Sequence, residues 1–106
     1  MAGPSVLIAA LSGRAAANSA CRAGFAPLVA DLFGDDDMRA AAAASRRVAG
    51  DLATGFADDS LIAALSNLAK VASRPPVGFV YGAGFEDRPG LLAQIADRWP
   101  LIGNTP

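Results

Sequence analysis

Apolar residues in this chain fall into short unbroken runs, separated by segments in which they recur every three or four positions. Runs of the first kind predict buried strands and segments of the second kind predict amphipathic helices, so their alternation predicts an α/β fold. Residues 5–11 (SVLIAAL) are continuously apolar, contain β-branched Val6 and Ile8, and lie between Pro4 and Ser12-Gly13. They predict a first strand buried on both faces. Residues 13–24 are rich in alanine, place Arg22 near the negative end of the helix dipole and close on Gly24, which suits the C′ position. They predict a helix. Residues 25–33 (FAPLVADLF) predict a second strand stopped by Gly34, and a strand, a helix and a strand in this span make a βαβ unit with a right-handed crossover.

The acids Asp35, Asp36 and Asp37 sit where a helix over residues 38–44 needs caps and negative charge. Residues 45–51 read either as an extension of that helix or as a charged edge strand, and the Gly50-Asp51 punctuation favours the strand. From Asp58 or Asp59, the positions Leu61, Ile62, Leu65, Leu68, Ala69 and Ala72 trace one helical face. Asp59 or Ser60 is the expected N-cap, Lys70 and Arg74 lie near the end, and Pro75-Pro76 stop the helix. Residues 77–81 predict the next strand. Pro89 suits the first turn of a last helix with Leu91, Leu92, Ile95, Ala96 and Trp99 on its apolar face, and Leu101-Ile102 reads as a final short strand. The expected architecture is a three-layer αβα, Rossmann-like open parallel sheet of four or five strands, forming one domain over residues 1–106.

Composition narrows what such a domain does. A chain of 106 residues, 53% hydrophobic with much of that alanine, buries one ordinary core. No apolar run reaches the ~18 residues of a membrane span, because Arg14, Arg22 and the Asp35 to Asp37 cluster interrupt it. Residues 1–5 lack a basic start and the run at residues 6–11 is shorter than a signal core, so the expected location is cytoplasmic. Nine Lys and Arg against ten Asp and Glu give a formal charge of −1, which disfavours nucleic acid and membrane surfaces as partners. With Cys21 the single cysteine and histidine absent, an internal disulfide, a His-based triad and a zinc site lack their parts. Cys21 lies among alanines and reads as a packing residue.

Ligands of open parallel sheets bind outside the carboxyl ends of the strands, which here are Ser12-Gly13-Arg14, Asp31 to Asp37, Tyr81 to Arg88 and Gly103-Asn104-Thr105. Ser12, Gly13 and Arg14 offer helix-terminal amides and a guanidinium clamp for a phosphate or carboxylate, or else form a plain turn with a solvated arginine. Asp31 stands 18 positions after Gly13, near the spacing of a ribose-binding acid, but the partner glycines of a dinucleotide fingerprint are missing. The three adjacent aspartates suit capping better than a cation, since neighbouring residues rarely converge on one ion. Gly82 and Gly84 allow a ligand close to the backbone, with Tyr81, Glu86, Asp87 and Arg88 supplying polar groups. The alternative for this loop is that Phe85 packs inward and Glu86 or Asp87 caps the Pro89 helix.

Taken together, residues 6–17 (VLIAALSGRAAA), 22–35 (RAGFAPLVADLFGD), 78–89 (GFVYGAGFEDRP) and 99–104 (WPLIGN) resemble the amino-terminal, pre-ATP-grasp domain of bacterial ATP-grasp proteins, especially a carboligase-like group. The resemblance covers nearly the whole chain. It implies a domain that lends loops to a small-molecule carboxylate or amine substrate, while ATP and Mg²⁺ are held by two further lobes that follow it. No ATP-grasp lysine segment is present, and Lys70, the single lysine, lies at a helix end. The resemblance therefore implies no cofactor and no catalytic residue in this chain, with Ser12, Gly13, Arg14, Gly82, Gly84, Phe85 and Glu86 as the substrate-side residues. Two other readings stand beside it: a dimerising interaction module using Trp99 and the alanine-rich helices, and a stand-alone nucleotide-binding domain using Gly82-Ala83-Gly84.

Overall fold

The computed structural model describes residues 3–51, 55–72 and 74–102. Its elements are β1 (Ser5–Ala9), α1 (Arg14–Arg22), β2 (Ala26–Asp31), α2 (Asp36–Ala41), β3 (Ala44–Arg47), β4 (Gly50–Asp51), β5 (Gly55–Phe56), α3 (Asp58–Val71), β6 (Phe79–Tyr81) and α4 (Pro89–Ala96). Four strands form one parallel sheet in the order β3-β2-β1-β6, with Leu101 adding a parallel bridge beside Phe79. The chain steps outward from β1 to β3, then returns to the other side of β1. This reversal puts the topological switch point between β1 and β6.

Alternation along the strands divides the core. Leu7, Ala9, Leu28, Ala30 and Phe79 face α3 and α4, where Leu61, Leu65, Leu68, Leu91 and Ile95 complete the larger cluster. Val6, Ile8 and Val29 face the other way, against Ala17 of α1 and Met38 of α2. Small residues on α1 keep that layer thin. The result is a three-layer α/β Rossmann-like fold with helices on both faces, as the hydrophobic pattern predicts.

Local signals explain most boundaries. Gly24 has a φ of +88° just past α1, the left-handed C′ position for which glycine has no steric penalty. Asp35 caps α2 by accepting from the Met38 amide at 2.8 Å, so the acidic triplet serves the helix start as expected. The second helix begins earlier than expected, at Asp36, and ends by Ala41, which frees residues 44–47 to pair with β2 as the edge strand. Arg46 and Arg47 there guard the sheet edge.

Other expectations need correction. The N-cap of α3 is Ala57, and Asp58 and Asp59 lie within the first turn, where they complement the dipole without capping. Phe56 precedes that cap at the N′ position and shares a core cluster with Leu61 at N4, the arrangement of a hydrophobic staple. Gly50–Asp51 and Gly55–Phe56 form a separate antiparallel ribbon that periodicity over two-residue strands does not reveal. The β6 strand is only Phe79–Tyr81, and Leu101-Ile102 contributes one bridge and not a strand. Gly103, Asn104 and Thr105 lie outside the described residues. Among the described residues, no helix is long and apolar enough to cross a membrane.

Candidate functional site

The β1–α1 and β6–α4 connections meet at the switch point. The Gly82 amide donates to Ala9 O and the Leu11 amide donates to Ala83 O, both at 2.9 Å, so the two loops form one platform at the carboxyl edge. Ser12 and Arg14 lie exposed on it, while Gly13 is buried. A Cβ on Gly13 would strike Val29 Cγ1, which makes this glycine a packing requirement of the helix against the sheet.

Asp31 explains the rest of the first loop. Its side chain is fully buried, with Oδ2 accepting from the Gly13 amide at 3.0 Å and Oδ1 accepting from the Gly34 amide at 2.9 Å. A single carboxylate therefore ties the β1–α1 loop to the β2–α2 loop. The ribose role suggested by its spacing from Gly13 does not fit a side chain with no accessible surface. Asp31 also places a negative charge at the amino end of α1 from inside the fold, where a dinucleotide phosphate would otherwise bind. The residues of this loop do not fit an ATP phosphate site.

Arg14 remains open to ligands. Its Nη1 lies 3.5 Å from Asp37 Oδ2, but both side chains are more than half exposed, and such a pair contributes little in water. Gly13 is the N-cap and no side chain caps α1. The amides of Arg14, Ala15 and Ala16 precede the first intrahelical bond, from Ala17 to Gly13 O. Arg14, set out on the exposed surface and away from the buried Asp31, can hold a carboxylate through its guanidinium.

The second loop is packed and largely satisfied by its own groups. Phe85 is buried against Tyr81, Phe56 and Phe79, with ring centroids 5.3, 5.5 and 6.1 Å away. A Cβ on Gly84 would sit 2.9 Å from the Phe56 ring, and one on Gly82 would sit 3.0 Å from Ala10 Cβ, so the close approach at both glycines is by the protein itself. Glu86 Oε2 accepts from the Gly84 amide at 2.8 Å. That hydrogen bond is the main cause holding its carboxyl below the usual glutamate range, its own amide adding to the effect and desolvation slightly opposing it. Arg88 donates from Nη1 to Phe56 O at 2.7 Å and pairs through Nη2 with Asp58, which fastens the loop to α3. Asp87 has a φ of +61° and does not cap α4; Arg88 takes the N-cap position without a side-chain bond. Of the expected substrate-side residues, Ser12, Arg14 and Glu86 are thus exposed on the platform, whereas Gly13, Gly82, Gly84 and Phe85 build it.

A concave region of about 400 Å³ lies further along the same edge, lined by Phe33, Gly34, Arg39, Ser45 and Arg47. Sequence reasoning gave none of these a binding role. The available signal was that two arginines near the ends of α2 and β3 flank an aromatic at the end of β2. At the opposite, amino edge, Val71 and Val77 are exposed and line a groove of mixed polarity that also includes Leu28 and Arg74. Trp99 is half-buried against the larger core cluster, and the half-buried Cys21 donates its thiol to Ala41 O at 3.2 Å, joining α1 to the end of α2. No cluster of three or more potential metal ligands occurs among the described residues.

No protein-family model, curated protein or solved structure matches this chain.

Proposed function

We propose that this chain is a non-catalytic, substrate-side domain of an ATP-grasp carboxylate–amine ligase. The observation that supports it is the pairing of the two switch-point loops through Leu11, Ala83, Ala9 and Gly82, which sets Ser12, Arg14 and Glu86 on one exposed platform. Arg14 clamps the carboxylate of a small-molecule substrate through its guanidinium. ATP and Mg²⁺ belong to other lobes of the ligase, in keeping with the internal placement of Asp31 against Gly13.

ATP and Mg²⁺ titrated into the isotope-labelled chain test the division of labour: no amide shifts at residues 12–14 or 82–86 are expected, and tight binding at those residues would overturn the proposal in favour of a stand-alone nucleotide-binding domain. In the assembled ligase, Arg14→Ala is expected to raise KM for the carboxylate roughly tenfold or more while KM for ATP stays unchanged. Unchanged carboxylate kinetics discard the clamp.

A homodimerising module is the second reading, and the exposed Val71 and Val77 beside the amino-edge groove favour it. Light scattering that finds a concentration-independent monomer removes it.

A further inference from the structure

We propose that the hollow formed by Phe33, Gly34, Arg39, Ser45 and Arg47 is a binding site for a phosphate monoester that carries a planar ring, of the nucleoside monophosphate kind. A single exposed phenylalanine or a pair of surface arginines is ordinary. Their convergence on one concavity of about 400 Å³, at the carboxyl edge of a parallel sheet, is what points to a ligand.

Each lining group has a role in that chemistry. Arg47 donates from Nε to Leu32 O at 2.9 Å, which fixes the plane of its guanidinium, and its terminal nitrogens bond to none of the described residues. Its aliphatic stem lies beside Gly34, which lines the hollow with a φ of +58°. Arg39 stands on α2 with an exposed side chain. Two guanidinium groups and the Ser45 hydroxyl together match the charge and acceptor oxygens of a phosphate dianion. Phe33, 46% exposed at the end of β2, offers a face on which a planar ring stacks.

Neighbouring acids leave this positive charge in place. Asp31 is committed to Gly13 and Gly34, Asp35 to Met38, and Asp37 faces Arg14. Asp31 lies behind Gly34, bonded to its amide, and Asp36 approaches from the surface, 3.9 Å from Arg39 and fully exposed. Such a contact is weak in water, and a phosphate can displace it.

The site shares no residue with the Ser12 to Arg14 and Gly82 to Glu86 platform, so its failure would leave the ligase-domain reading intact. Adenosine monophosphate titrated into isotope-labelled protein is the test, with inorganic phosphate and adenosine as separate arms. The expected result is amide shifts confined to the neighbourhood of residues 33, 34, 39, 45 and 47, with the nucleotide binding tighter than either fragment. Arg39→Ala should weaken it about tenfold, Phe33→Ala should abolish its advantage over inorganic phosphate, and Asp36→Asn should tighten it about twofold. Equal affinity for nucleotide and inorganic phosphate, shifts elsewhere on the surface, or no effect of Arg39→Ala would overturn the assignment. All three variants alter exposed side chains, and an unchanged amide spectrum in the absence of ligand distinguishes lost binding from lost folding.

Discussion

Two carboxylates at the carboxyl edge accept from glycine amides, and they do so in opposite surroundings. Asp31 is fully buried and bridges Gly13 and Gly34, residues far apart in sequence; Glu86 is exposed and reaches back only to Gly84. The first is the fastening of its loop. The second decorates a loop already held by the aromatic group of Phe85, Tyr81, Phe56 and Phe79 and by the grip of Arg88 on α3. A hydrogen bond gains importance when water cannot replace it, so one chemical motif fixes structure in one loop and adjusts charge in the other.

The largest effect expected from this contrast lies in the aromatic packing of the second loop. Phe85→Ala removes a buried ring that touches three others and leaves a cavity between β6, β5 and α3. Urea denaturation should register a loss of about 3 to 5 kcal/mol. A loss below about 1 kcal/mol would mean that Glu86 and Arg88, and not the rings, hold the loop.

Asp31→Asn is expected to come next, at about 3 kcal/mol by the same measurement. Both oxygens of Asp31 accept from amides, so the near-isosteric asparagine must turn an NH₂ donor towards one of two N–H donors. Hydrogen exchange should locate the loss at Gly13 and Gly34. If the variant is as stable as the parent, the carboxylate is not the fastening and the contrast with Glu86 disappears.

How much of this was legible beforehand depends on whether a feature is local. Continuous apolar runs marked β1 and β2, three- and four-residue spacing marked α3, and the aspartates at 35–37 marked a helix start, placed two residues late at Met38; each rests on residues within a turn or two. The latch does not. Asp31 was legible as an acid at the end of β2, but its destination follows only from strand alternation: it shares a sheet face with Val29, which packs in the cluster against α1, and so it points beneath the first loop and away from solvent. Phe56 was missed because two-residue strands have no period, although its place before the Ala57 cap of α3 carried the staple pattern. The glycines of the second loop read equally well as room for a ligand or room for a neighbour. Only the position of Phe56 and Leu11 around Gly84 distinguishes the two.

The smallest effect belongs to Glu86, and its value lies in its sign. The Gly84 amide, followed by the glutamate's own amide, stabilises the charged form, so the folded pKa lies below the ordinary value of 4.5. A lowered folded pKa contributes stability that is present above the unfolded pKa and fades as pH falls through the folded one. Glu86→Gln should therefore be slightly less stable than the parent at neutral pH, and the gap should narrow progressively once pH drops below 4.5. Salt should weaken the effect little, since a short hydrogen bond and not a distant charge is its first cause. The Asp31→Asn loss, by comparison, should far exceed it at neutral pH, because the buried Gly13 amide has no water to turn to. A carboxyl titration of Glu86 with its midpoint at or above 4.5 would remove the bond to Gly84 from solution, and with it the wet half of the pair.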